Sequence, residues 1–215
     1  MTAPDGPRPG RRAVLAGAAA LALAGSARAD ERLVPARKVF PYLDAYLRIP
    51  PAKRSRFSLS YVLVKDRPTA IWLVDGQQRI AVPVSADGRL LRLPTAAQWE
   101  AGQVAISGPA GAKYGVSLKL EALVPPAAEM DAATLAAAVA QANDGVKTAM
   151  GIASLVIPKI DSVAFQGVSS GDVIYADGRR AALPLVKGVP TFEPAKQAGA
   201  KTLKFAKAPS ALLLS

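Results

Sequence analysis

Phe57-Ser58-Leu59-Ser60-Tyr61-Val62-Leu63-Val64 places Phe, Leu, Tyr and Leu at alternate positions. A period of two predicts a β-strand with one face turned to a core. Downstream, Asp66-Arg67-Pro68 reads as a turn, and Ile71-Trp72-Leu73-Val74-Asp75-Gly76 as a second strand closed by a tight hairpin. Glycine supplies the positive φ such hairpins need. Asp87-Gly88 repeats the device ahead of Leu90, Leu91 and Leu93, and Val104-Ala105-Ile106 and Val116-Ser117-Leu118-Lys119-Leu120 predict two further strands. Upstream, Pro41 to Ile49 predicts a short helix with Leu43, Tyr46 and Leu47 on one face. Pro50 closes it, because the residue before a proline is pushed out of the α region.

The same order of landmarks recurs later in the chain. Ile49-Pro50 and Phe57 are matched by Ile157-Pro158 and Phe165, and the first Asp-Gly hairpin by Val173-Ile174-Tyr175-Ala176-Asp177-Gly178. Each hairpin leads into an apolar stretch with an internal proline, Pro83 or Pro184; Pro94 and Pro194, then Pro109 and Pro209, follow. The offsets between matched positions fall steadily from 108 to 100, the pattern of a duplicated unit whose second copy has lost residues in its first hairpin. Phe57 is accordingly expected to superpose on Phe165, and the two Asp-Gly turns to occupy equivalent corners. Prolines inside such runs favour edge strands or bulges.

Between the copies, Asp131 is a helix N-cap ahead of Ala132 to Ala142, with Leu135, Val139 and Ala142 on one stripe. Gly145 is a place to stop or kink that helix, and Val146, Met150, Ala153 and Ile157 continue the helical spacing to Pro158. The fold expected is therefore mainly β with helical segments, an α+β protein of two tandem related antiparallel β modules joined by an Ala-rich helical region. The divisions are 1–29, an export signal; 30–124, a first β-rich module with a short N-terminal helix; 125–158, the helical connector; and 159–215, a second β-rich module.

Residues 1–29 carry the pair Arg11-Arg12, an uncharged run from Ala13 to Ala24, and the small-x-small site Ala27-Arg28-Ala29, the layout of a cleavable signal cut after Ala29. The run is too short to span a bilayer. The paired arginines followed by Val14-Leu15 resemble a bacterial twin-arginine signal, which implies export in that manner. Gly10 and Ala16 stand where that signal usually has Ser or Thr and Lys, so the Sec route stays open. Either route predicts a periplasmic or secreted protein.

Composition narrows the chemistry. The 215 residues include no histidine and no cysteine, which removes imidazole proton shuttles, thiolate nucleophiles, disulfides and His- or Cys-ligated metals. No Ser-x-x-Lys pattern, Walker loop or calcium-loop spacing of carboxylates occurs in the exported part, and no cofactor or metal is expected. Paired carboxylates remain as a chemical possibility. Asp66, Asp75, Asp87 and Asp177 are explained by turns, Asp131 by a cap and Asp144 by a helix end, leaving Glu100 beside Trp99, Glu121, Asp161, Asp172 and Glu193.

Without residues 1–29 the chain holds 23 basic and 15 acidic side chains, a net charge of +8. For an exported protein this excludes nucleic acid as the expected partner and favours an anionic envelope surface or an envelope protein. Lys53, Arg54 and Arg56 form the candidate binding cluster. Lys201, Lys204 and Lys207, interleaved with Leu203 and Phe205, read as protection of an exposed sheet edge. The expected role is non-catalytic binding or accessory work at the cell envelope, with no transmembrane segment in the exported chain. The second reading is a carboxylate-dependent hydrolase of a cell-wall or exported glycan.

Overall fold

A computed structural model describes residues 30–65, 69–151 and 159–215. The residues expected to form an export signal, Arg11, Arg12, Ala27 and Ala29, the expected turn at Asp66-Arg67-Pro68 and the Ile157-Pro158 landmark lie outside them. The first half contains β1 (Asp30–Pro35), α1 (Ala36–Val39), α2 (Leu43–Arg48), a 3-10 turn (Pro51–Arg54), β2 (Phe57–Lys65), β3 (Ala70–Asp75), β4 (Gln78–Ala81), α3 (Ala96–Ala101), β5 (Gln103–Gly108) and β6 (Tyr114–Ala122). The second contains β7 (Glu129–Asp131), α4 (Ala132–Met150), β8 (Val163–Gln166), β9 (Asp172–Tyr175), β10 (Arg180–Ala182), β11 (Leu185–Val186), β12 (Val189–Phe192), β13 (Ala200–Lys204) and β14 (Ala211–Leu214). The protein is mainly β, and every strand pairing among the described residues is antiparallel.

The two halves share one topology. The sheet β1-β5-β3-β4 recurs as β7-β13-β9-β10. From β4 the chain runs through Pro83 to a bridge between Val84 and Leu90, and Arg89 bridges to Val62 of β2. From β10 it runs through Pro184 into β11, which pairs with β12, which pairs with β8. The Leu91 amide donates to the Pro83 carbonyl at 2.9 Å, and the Thr191 amide to the Pro184 carbonyl at 2.9 Å. Both prolines thus stand at a corner where the chain leaves one sheet for another, a place where no ladder N–H is required. β6 and β14 lie side by side and unite the halves in a six-stranded sheet, β11-β12-β8-β14-β6-β2.

The Asp-Gly turns occupy equivalent corners, joining β3 to β4 and β9 to β10. The phenylalanines do not superpose. Tyr61 faces Leu118 across β2 and β6, and Phe165 faces Leu212 across β8 and β14, so the counterpart of Phe165 is Tyr61. The reason is length: β2 has nine residues and β8 four, and Phe57 lies in the extra N-terminal part of β2.

α4 joins the halves in chain order, and within the second half it follows β7 as α1 follows β1. Ala36, Val39 and Leu43 are buried in the first half, and Ala132, Leu135 and Val139 at the same spacing in the second. Asp131 caps α4 as expected, accepting from the Thr134 amide and hydroxyl, both at 2.7 Å. The helix continues through Gly145 to Met150, so Gly145 neither stops nor breaks it, and Asp144 is interior rather than terminal. A Cβ at Gly145 would lie 2.5 Å from Phe57 Cζ; the position is small because Phe57 packs on it.

Two apolar cores result. One gathers Phe40, Leu43, Tyr61, Leu73 and Val104; the other gathers Phe57, Leu135, Val163, Phe165 and Leu203. Each such fully buried Leu, Val or Phe side chain contributes about 1.5–3 kcal/mol. Tyr46 of α2 packs against both cores and marks the seam between them.

Candidate functional site

The basic cluster begins with Pro50-Pro51. The prolines end α2 and start the 3-10 turn, in which the Lys53 amide donates to the Pro50 carbonyl at 2.8 Å. One side chain of α4 holds this turn in place. Gln141 donates through Nε2 to the Ala52 carbonyl at 3.2 Å and to Ser55 Oγ at 3.1 Å, and its Oε1 accepts from the Arg56 amide at 2.6 Å. Arg54 turns inward: its Nε donates to the Ile49 carbonyl at 2.9 Å, and its guanidinium lies 4.8 Å from the Tyr46 ring centroid, a cation–π contact. Lys53 and Arg56 are exposed. Among the described residues none of the three cations lies within ion-pair distance of a carboxylate, whereas Arg48, Arg79, Arg89 and Arg180 each do.

The structure therefore brings all three predicted residues into one turn and adds Gln141, Tyr46 and Lys147. Lys53 and Lys147 line one shallow depression, with Asp144 also on its wall. The sequence signal for Gln141 was available in principle, as an amide set into an otherwise alanine-rich helix.

Beside the turn, at the seam, lies an apolar cleft of about 480 Å³. Leu59 of β2 and Leu118 and Leu120 of β6 form its floor, Tyr46 and Ile49 one wall, and Val146, Ala149 and Met150 of α4 the other. Tyr46 links wall to core, its ring edge-on to Phe57 at 5.9 Å and its hydroxyl donating to the Phe57 carbonyl at 3.3 Å. At the lip, Tyr42 is 57% exposed and has φ of 64°, a left-handed conformation rare for a residue with a bulky side chain.

The carboxylates raised as acid–base candidates occupy separate settings. Glu121 and Asp87 line one depression, where the Arg89 guanidinium pairs with Glu121 and reaches Asp87 at 4.0 Å. The Ser85 hydroxyl, the largest influence, holds Asp87 below the usual carboxylate range. Asp172 pairs with Arg180 and Glu193 with Lys196. Glu100 and Asp161 are exposed. Glu100 belongs to α3, which a Thr95–Gln98 capping box starts and the Trp99 indole anchors, donating to the Phe40 carbonyl at 2.8 Å.

Lys201 and Lys204 do not protect an edge. β13, which carries them, is flanked by β9 and β7, and Lys204 pairs with Glu129 at 3.0 Å. The three-residue β7, lost to the eye beside a proline pair, covers the side expected to be open. Among the described residues no helix is long and apolar enough to cross a membrane. No protein-family model matches the chain, and comparison with curated proteins and with solved structures found no match.

Proposed function

We propose that this is an exported protein of the cell envelope, periplasmic or secreted, that binds anionic surfaces without catalysis. The observation that carries the reading is the Gln141-held turn, which presents Lys53, Arg54 and Arg56 together with no carboxylate partner among the described residues. A net charge of +8 beyond residue 29 raises encounter with anionic surfaces but supplies no specificity. A fixed cluster does more, since each Lys or Arg near such a membrane adds about 1 kcal/mol. The test is sedimentation with vesicles of anionic phospholipid at low salt. Changing Lys53, Arg54 and Arg56 together to alanine is expected to weaken binding more than changing Lys201, Lys204 and Lys207. Equal losses would mean diffuse charge, and no binding at low salt would remove the reading.

The glycan-hydrolase reading has one observation on its side, the shared depression of Asp87 and Glu121. Arg89 pairs with Glu121 there and reaches Asp87, and the Ser85 hydroxyl holds Asp87 below its ordinary value, the reverse of the raised value a general acid needs. Cleavage of a wall glycan that disappears in Glu121→Gln would favour it over the binding role.

A further inference from the structure

The apolar cleft and the basic turn are adjacent, and Arg54 of the turn rests on two residues of the cleft wall, Tyr46 and Ile49. We infer that the cleft takes the alkyl chain of a single-chain anionic amphiphile and that Arg54 receives its head group. The inference rests on the proposed envelope location for where the ligand is met, and on the cleft's own geometry for its chemistry.

Among the described residues the lining contains no carboxylate and no ammonium group, so no charged side chain there pairs with a charged ligand. Its 480 Å³ falls within the range of about 300–1,000 Å³ typical of small-molecule sites, which is too small for an amphipathic helix. A peptide strand has no purchase either. The cleft lies on the side-chain face of the β2–β6 pair and not along its hydrogen-bonding edges, which β14 occupies at Leu120 and Glu121 and residues 88 to 90 occupy along Tyr61 to Leu63. Strand addition needs an unpaired edge. An alkyl chain needs only apolar walls.

At the rim the chemistry changes sharply. Arg54 spends its Nε on the Ile49 carbonyl and lays its guanidinium on Tyr46, while its terminal nitrogens donate to nothing among the described residues. Those two terminal NH2 groups form the fork that matches phosphate or carboxylate. Lys53, one residue away, adds charge without entering the cleft. Tyr42, strained and exposed at the lip, is a conformational outlier of the kind that collects at ligand clamps.

The experiment is isothermal titration of the purified protein with inorganic phosphate, with octyl, decyl and dodecyl phosphate, and with uncharged dodecyl maltoside, all below their micelle thresholds. One site is expected. Affinity should rise about fourfold per added methylene, and phosphate alone should give no measurable binding. Arg54→Gln should weaken the alkyl phosphates about tenfold and leave the maltoside unchanged. Ala149→Trp, which fills the cleft, should abolish both, and the chain-length series decides the matter if that variant does not fold. An affinity independent of chain length, or phosphate binding as well as dodecyl phosphate, overturns the inference. Vesicle adsorption that persists while alkyl phosphates fail to bind sinks the cleft and spares the surface reading; the opposite pattern sinks only the surface reading.

Discussion

Leu120 of β6 faces Leu214 of β14, and each is the other's counterpart in the repeated topology. The register places Leu59 opposite Leu120 and Val163 opposite Leu214, and the pair Leu214–Leu120 closes the junction between the halves. A pseudo-twofold axis therefore passes through this one residue pair. The halves meet as a continuous antiparallel sheet, and the contact across the junction is backbone ladder as well as side chain.

That continuity predicts a single cooperative unfolding transition. Leu214, 6% exposed, should lose about 2–5 kcal/mol on change to alanine, the usual range for truncating a buried leucine. Denaturant melts followed by far-UV circular dichroism and by tryptophan fluorescence check this. Trp72 and Trp99 both lie in the first half, so two separated transitions would show that the halves unfold independently.

Gly145→Ala isolates packing from helix propensity. Alanine is the better helix former by about 1 kcal/mol, yet its Cβ would sit 2.5 Å from Phe57 Cζ. Overpacking of a fitted core costs about 1–3 kcal/mol, so the variant should be less stable than the wild type by denaturant midpoint. A more stable variant would mean that Phe57 moves aside freely.

Asp131 ties stability to pH. The Thr134 hydroxyl, then its amide, lowers the folded carboxyl from its ordinary value. Such a group contributes fully above its unfolded pKa of about 3.9 and loses that contribution as pH falls through the lower folded value. Asp131→Ala should cost about 1 kcal/mol at pH 7, as N-cap deletions do. The gap between variant and wild type should close below about pH 4, which thermal melts at stepped pH would reveal.

Export is tested at Arg11 and Arg12. Replacing both with lysine should hold the protein inside the cell if it uses the twin-arginine route. Undiminished export, read by fractionation, would assign the Sec route.

Local chemistry was readable from the chain, and distance was not. Asp131 as a cap and Asp75-Gly76 and Asp177-Gly178 as hairpin corners each depend on two or three neighbouring residues, and each holds. The order of landmarks carried the duplication. Register failed at Phe57 and Phe165 because equal spacing from an Ile-Pro pair does not reveal how far a strand extends before it finds its partner. The lysines of β13 misled for a related reason, since whether a strand is an edge depends on a segment as remote as Glu129–Asp131. Lys53, Arg54 and Arg56 were legible as a cluster, but the cleft beside them draws its walls from residues 42 to 150 and has no contiguous signature.

The cleft owes its existence to inequality between the halves. Counting from the matched starts Ala36 and Ala132, Ile49 corresponds to Gly145, and beyond that point Pro50-Pro51 ends the first helix while α4 continues through Val146 and Ala149 to Met150. The second wall is built entirely from the part of α4 that has no counterpart. Two identical halves would carry this wall twice or not at all. The cleft thus depends on the difference between the halves: a proline pair ends one helix and forms the basic turn, and the longer helix runs on over the sheet.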